Sequence, residues 1–189
     1  MRILSDTKKL IVPFSKEINL SKYKESISRI DINGKIIYYN HIFSQISGYE
    51  KSELLRSSYT ILNHSDMPKA IFYFIWKTLL AGNSTYALIK NFTKEGDYYW
   101  QLTKFVVQKD NKNSTVSFVL YGKQADKEHI KSIEPLYKKL LEKEKKSSIN
   151  SSIKYLLEFL NSNNIASYND YICRITCQKR HKLFSSLIF

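Results

Sequence analysis

The sequence is poor in the residues that punctuate or staple a chain: its 189 residues include five glycines, three prolines and two cysteines. So few glycines leave little material for a phosphate cradle, and neither a phosphate loop, a nucleophile elbow nor a paired-carboxylate motif is present. An enzyme is not expected. The cysteines, Cys173 and Cys177, are too few and too close to staple a secreted scaffold, which points to a reducing, cytoplasmic compartment. With His181 they recur every fourth residue on one helical face, but no fourth ligand is near in sequence, so no metal site is expected. Long apolar runs are also missing. Residues 70–76 and 186–189 fall far short of the roughly 20 residues of a spanning helix. The charged opening Met1-Arg2-Ile3-Leu4-Ser5-Asp6 has no apolar stretch behind it, so neither a membrane span nor a signal peptide is expected.

Acidic residues are scarce relative to basic ones, 17 against 30, for a net charge of +13. The excess is spread as +3, +4 and +6 over residues 1–27, 28–122 and 123–189. A nucleic-acid footprint needs a stripe or patch, and the densest run, residues 138–146, is interrupted by Glu142 and Glu144, so no nucleic-acid partner is expected. What is abundant is core material: 43% hydrophobic residues, including 14 Tyr and 10 Phe, enough for one soluble domain with appendages and incompatible with wholesale disorder.

Residues 1–24 read as a leader, with an apolar stretch at 10–14 and a polar segment able to form a short helix. Two β-rich runs, 27–32 and 35–39, then flank Asn33-Gly34, a strong hairpin signal because both residues tolerate φ > 0. Asn40 is a plausible N-cap for a helix carrying Ile42, Phe43 and Ile46, and Gly48 ends it. Ser52-Glu53-Leu54-Leu55 suggests another single turn. Asp66-Met67-Pro68 reads as a second helix start, with Asp66 as N-cap, followed by Ala70, Ile71, Phe74, Ile75 and Leu79 at a 3.6-residue period as far as Gly82. Residues 86–92, 98–107 and 115–121 are strand-like. The expected class is α+β: a five-stranded antiparallel sheet with helices on one face. Residues 123–189 form a helical extension, in which Pro135 is expected to break the first helix, 145–152 to be a linker, and 153–160 and 168–184 to be a helix pair.

The run Asp31-Ile32-Asn33-Gly34-Lys35-Ile36-Ile37-Tyr38-Tyr39-Asn40, with Phe43, Ser47-Gly48-Tyr49 and Glu53-Leu54, resembles the opening of a PAS domain. His64-Ser65-Asp66-Met67-Pro68-Lys69-Ala70, Trp76, Leu79, Gly82, Lys90-Asn91, Lys94, Gly96-Asp97, Tyr99-Trp100 and, later, Ile133-Glu134-Pro135-Leu136-Tyr137 look like the flavin-type PAS domain of bacterial aerotaxis, or energy-taxis, receptors. The resemblance spans about residues 25–145, with the PAS domain expected at 25–122. It implies the PAS fold, non-covalent FAD and a redox sensor in the cytoplasm. It also implies a partner, a membrane-bound HAMP-containing transducer of the methyl-accepting type, and a homodimer or a heterodimer with another PAS protein. With no span of its own, the chain looks like the soluble half of a bipartite receptor.

On that resemblance the cofactor-binding candidates are Asn91, Trp76, His64, Asp66, Tyr99 and Asn40. An amide such as Asn91 offers both a donor and an acceptor to an isoalloxazine edge. Trp76 is able to close the pocket or simply to fill the core. Tyr99 and Trp100 alternate on a strand, so only one faces the pocket. His64 and Asp66 occupy the positions of the family's His-Pro-Asp element, and Lys90 is a candidate for a pyrophosphate. The family's pocket Arg and Trp are replaced by Asn63 and Thr85, and the family's Pro after the histidine by Ser65. These replacements motivate the alternative, a cofactor-free PAS interaction or dimerisation module. A haem PAS, using His64 or His41, ranks third. No cysteine lies in the PAS region, which excludes a flavin–cysteinyl adduct.

Overall fold

A computed structural model describes residues 16–184 of the chain. The apolar stretch at 10–14, the last five residues and the His181 side chain lie outside the described part. The element order is β1 (Ser26–Asp31), β2 (Ile36–Tyr39), α1 (His41–Ser47), α2 (Lys51–Leu54), a 3₁₀ turn (Tyr59–Leu62), α3 (Lys69–Leu80), β3 (Thr85–Phe92), β4 (Tyr98–Lys109), β5 (Thr115–Gln124), α4 (Lys127–Lys146), α5 (Ile149–Ser162) and α6 (Tyr168–Phe184). The five strands form one sheet in the order β2-β1-β5-β4-β3, with every neighbour antiparallel. Among the described residues no helix is long and apolar enough to cross a membrane.

Local chemistry accounts for the first half. Asp31 Oδ1 accepts from the Asn33 and Lys35 N–H groups, both at 2.9 Å, and Gly34 takes φ +79°, closing the β1–β2 hairpin. Gly34 is required for a second reason: a Cβ there would stand 3.1 Å from the Trp76 ring. Asn40 caps α1 by accepting from Phe43 N–H at 2.9 Å, and Gly48 ends it at φ +73°.

Register places Ile30, Leu120, Phe118, Phe105, Ile89 and Ala87 on one sheet face, where they meet Ile71, Ile75 and Leu79 of α3. Each such side chain taken fully out of water contributes about 1.5–3 kcal/mol. The opposite face is covered at the β3–β4 end by α4, whose Tyr137 stacks on Trp100 at a centroid separation of 6.2 Å. Strand β3 is a sheet edge, and side chains from α4, α6 and the segment before α3 occupy its outward groups. Asn169 Oδ1 accepts from Tyr86 N–H at 3.0 Å, the Tyr137 hydroxyl donates to Leu88 C=O at 2.8 Å, and Met67 Sδ accepts from Lys90 N–H at 3.3 Å. The C-terminal helices therefore block an edge that would otherwise template pairing with another chain.

Four local expectations are corrected. The described leader has no helix: it lies along the start of β4, with Ile18 N–H donating to Tyr98 C=O at 2.8 Å and Tyr98 N–H to Lys16 C=O at 3.0 Å. Asp66 does not cap α3. Pro68 is the N-cap and gives no side-chain bond, because Asp66 is drawn instead to Lys90, 2.7 Å away. Pro135 sits inside an uninterrupted α4, whose buried Ile130, Ile133, Leu136, Tyr137 and Leu140 hold the helix across the missing donor. The linker shrinks to Ser147 and Ser148, since the Ser148 hydroxyl caps α5 by accepting from Ser151 N–H at 3.3 Å.

Candidate sensory cavity

The inner face of the sheet and α3 enclose a cavity of about 70 Å3. Ile30, Ile89 and Phe105 of the sheet form one wall, Phe72, Ile75, Trp76 and Leu79 of α3 another, and Tyr59, Thr60 and Asn63 the mouth, with Asn33-Gly34 closing one end. The helical period of α3 aligns its four residues on the side facing the sheet. Trp76 lies edge-on to Phe118, with ring centroids 5.5 Å apart, and against Gly34, so it is both core and cavity wall. Burial pushes the Tyr59 phenol up to about 12, with a hydrogen bond from Ser28 acting in the other direction.

Asn91 is buried on this same sheet face, directly opposite Tyr99 in the ladder, and its Oδ1 has no hydrogen-bond partner. Thr103 Oγ1, also buried on this face, is unpartnered as well. Each such orphan costs about 1–3 kcal/mol, but neither residue lines the cavity and the two stand four ladder positions apart, Asn91 opposite Tyr99 and Thr103 opposite Ala87. Volume is limiting too. Ligand pockets ordinarily measure about 300–1,000 Å3, and even the cavity that holds benzene is roughly 150 Å3. As packed, with Trp76 and Tyr59 in place, the residues do not fit an isoalloxazine ring system.

The other candidates are dispersed. Asn40 is spent on backbone: besides capping α1 it accepts from Ile27 N–H at 3.0 Å and donates to Glu25 C=O at 2.9 Å. Tyr99 is buried with Leu20 and Ile46, where burial pushes its phenol well up; Trp100 faces α4, and neither lines the cavity. His64 is buried outside the cavity, stacked on Phe92 at 3.9 Å, with Nδ1 accepting from Asp66 N–H at 3.0 Å. His41, at the start of α1, is exposed. Burial raises the Asp66 carboxyl, but its hydrogen bond and charge contact with Lys90, together with the charges of His64 and Lys145, outweigh this and hold it below its ordinary value. Lys90 Nζ lies 4.3 Å above the Tyr98 ring, on the sheet face opposite Asn91. Asn63 does line the cavity, whereas the Thr85 hydroxyl donates to Asn169 of α6 at 3.2 Å. Among the described residues no group of three metal-ligating side chains occurs.

Sequence reasoning missed Tyr59, Phe105 and Thr103. The 3₁₀ turn bearing Tyr59 has no hydrophobic period to reveal it, and Thr103 is recognisable as an orphan only from register.

The PAS fold family matches residues 36–121. The aerotaxis receptor of Escherichia coli K12 is 36% identical over 111 residues, which is 58% of this chain and 22% of the receptor, so the chain spans about a fifth of that relative. Among solved structures, a light-oxygen-voltage domain studied with a flavin analogue superposes with a TM-score of 0.54 at 19% identity, covering 60% of this chain and 87% of that one. The light-state Aureochrome1 light-oxygen-voltage domain, a blue-light photoreceptor, gives 0.53 at 20% identity, with 60% and 91% coverage. At these identities the structures establish the fold.

Proposed function

Because residues 36–121 form a PAS domain of the aerotaxis-receptor type, we propose that the chain is a sensor module of energy-taxis signalling, with a signalling rather than a catalytic role. Residues 25–122 are the sensing unit and 123–189 the extension that carries its state outward. The observation that supports this most directly is the 36% identity to the aerotaxis receptor over 111 residues. The output partner is a HAMP-containing, membrane-bound transducer, reached from the cytoplasmic side, and the sensor works as a homodimer or paired with another PAS protein.

FAD is the cofactor this reading favours. When bound, it supplies a redox centre that follows respiratory electron flow. The residues that would meet it are Asn63 and Trp76 of the cavity and Asn91 beyond it on the same sheet face, and the cavity would have to widen past Trp76 and Tyr59 to admit it. The small cavity supports a second reading, a cofactor-free PAS interaction module. The visible spectrum of purified protein, before and after reconstitution with excess FAD, separates the two. Flavin bands, with flavin released on denaturation, are the expected result; a colourless protein after reconstitution leaves the cofactor-free module.

A further inference from the structure

The first turn of α3 is capped from outside its own neighbourhood. Its N-cap, Pro68, has no hydrogen-bonding side chain, and Asp66, the local carboxylate, is held by Lys90. In their place Glu144, 74 residues further along the chain at the end of α4, receives Ala70 N–H on Oε1 at 2.9 Å and Lys69 N–H on Oε2 at 3.1 Å. A carboxylate there satisfies two orphaned donors and meets the positive end of the helix dipole. The helix so capped is the cavity wall, through Phe72, Ile75, Trp76 and Leu79. The last buried side chain of α4 is Leu140, one turn before Glu144.

We propose that Glu144 is a latch through which the cavity wall and the end of α4 control one another. Both backbone donors point from one end of α3, and both acceptor oxygens belong to one side chain. A displacement of α3 at that end therefore breaks both bonds together. The last turns of α4, with no buried side chain beyond Leu140, are then held only through α5, against which Lys143 lies 5.6 Å above the Tyr155 ring, and they shift with it. The coupling is reciprocal, as any equilibrium linkage between two sites must be: freeing α4 removes the cap and loosens the wall. Interchange of these two states conveys the condition of the cavity to α4, whose end is available to a partner only when the latch is open. The signalling purpose rests on the sensor reading above, but the coupling is a property of the chain alone.

The test is residue-resolved amide exchange by NMR on the full chain without ligand. In Glu144→Ala, exchange at Lys69 and Ala70 is expected to rise about fivefold, the amount a capping side chain is ordinarily worth. Exchange at residues 141–146 rises with it, and the Trp76 indole N–H resonance shifts. In the reverse direction, Ile75→Val, which loosens the wall by one methyl group, raises exchange at Ala70 and at 141–146. Glu144→Gln keeps an acceptor at one position and should give a smaller change, and it carries the test if the alanine variant does not fold. An effect confined to Lys69 and Ala70, with Trp76 and α4 unmoved, overturns the proposal and leaves an ordinary cap. An equal rise across β3, β4 and β5 also overturns it, since that is global destabilisation. A colourless protein after FAD reconstitution sinks the cofactor reading without touching the latch, and an unmoved Trp76 resonance does the reverse.

Discussion

The hydroxyl of Tyr137 shares a hydrogen bond with that of Tyr168, and Tyr137 donates onward to the Leu88 carbonyl on the outer edge of β3 at 2.8 Å. Both rings are buried, and burial raises both phenols, so the pair stays neutral across the physiological range. Two helices from the end of the chain are thereby pinned to one carbonyl of the sheet. Tyr137→Phe removes one of the two hydroxyls that meet Leu88 C=O and is expected to cost about 1 kcal/mol, because Tyr168 stays beside that carbonyl. Tyr168→Phe should cost less. Urea unfolding of both single variants and the double variant checks this, and the cycle should show coupling of at least about 0.5 kcal/mol.

The pairing of Asp66 with Lys90 predicts a modest pH effect. A carboxyl held below its unfolded value contributes stability that is fully present above the unfolded value and fades as pH falls through the folded one. The Asp66 side chain is 57% exposed, so solvent screening limits the contribution to a few tenths of a kcal/mol. Asp66→Asn is therefore expected to lower stability slightly at pH 7, with the difference from wild type shrinking as pH falls below the ordinary carboxyl range. Denaturant midpoints followed from pH 7 downward test this, and a loss that does not change with pH would remove the ion pair as the cause.

Gly34 combines a positive φ with a close approach to Trp76. Gly34→Ala adds a left-handed alanine, costing about 1–2 kcal/mol, and a Cβ that displaces the indole. A lower melting temperature and a shifted Trp76 fluorescence should appear together. A stability loss with unchanged emission would mean that the strain is confined to the turn.

Asn91 separates ligand chemistry from packing. Asn91→Leu removes the orphaned Oδ1 and also the hydrogen bond that Tyr99 receives. The opposing contributions should leave apo stability within about 1 kcal/mol of wild type. If FAD binds against this amide, its affinity should fall at least tenfold, read by equilibrium dialysis. Unchanged FAD affinity would place the ligand elsewhere.

The hairpin at Asn33-Gly34, the Asn40 cap, the Gly48 stop and the apolar period of α3 were legible in the sequence because each depends on residues within a few positions of one another. Turn geometry, capping and helical spacing are local physics, and they suffice for the element order and the α+β class. Tertiary structure decided the rest. Asp66 had a capping position available and left it for Lys90, a residue that only the fold of β3 brings within 2.7 Å. The cap passed to Glu144, which no spacing rule connects to Ala70. Whether a cavity of about 70 Å3 or one of flavin size lies beneath α3 depends on how the Trp76 and Tyr59 rings fill space between surfaces brought together from separate parts of the chain. Composition does not encode that volume; it is set when the surfaces close.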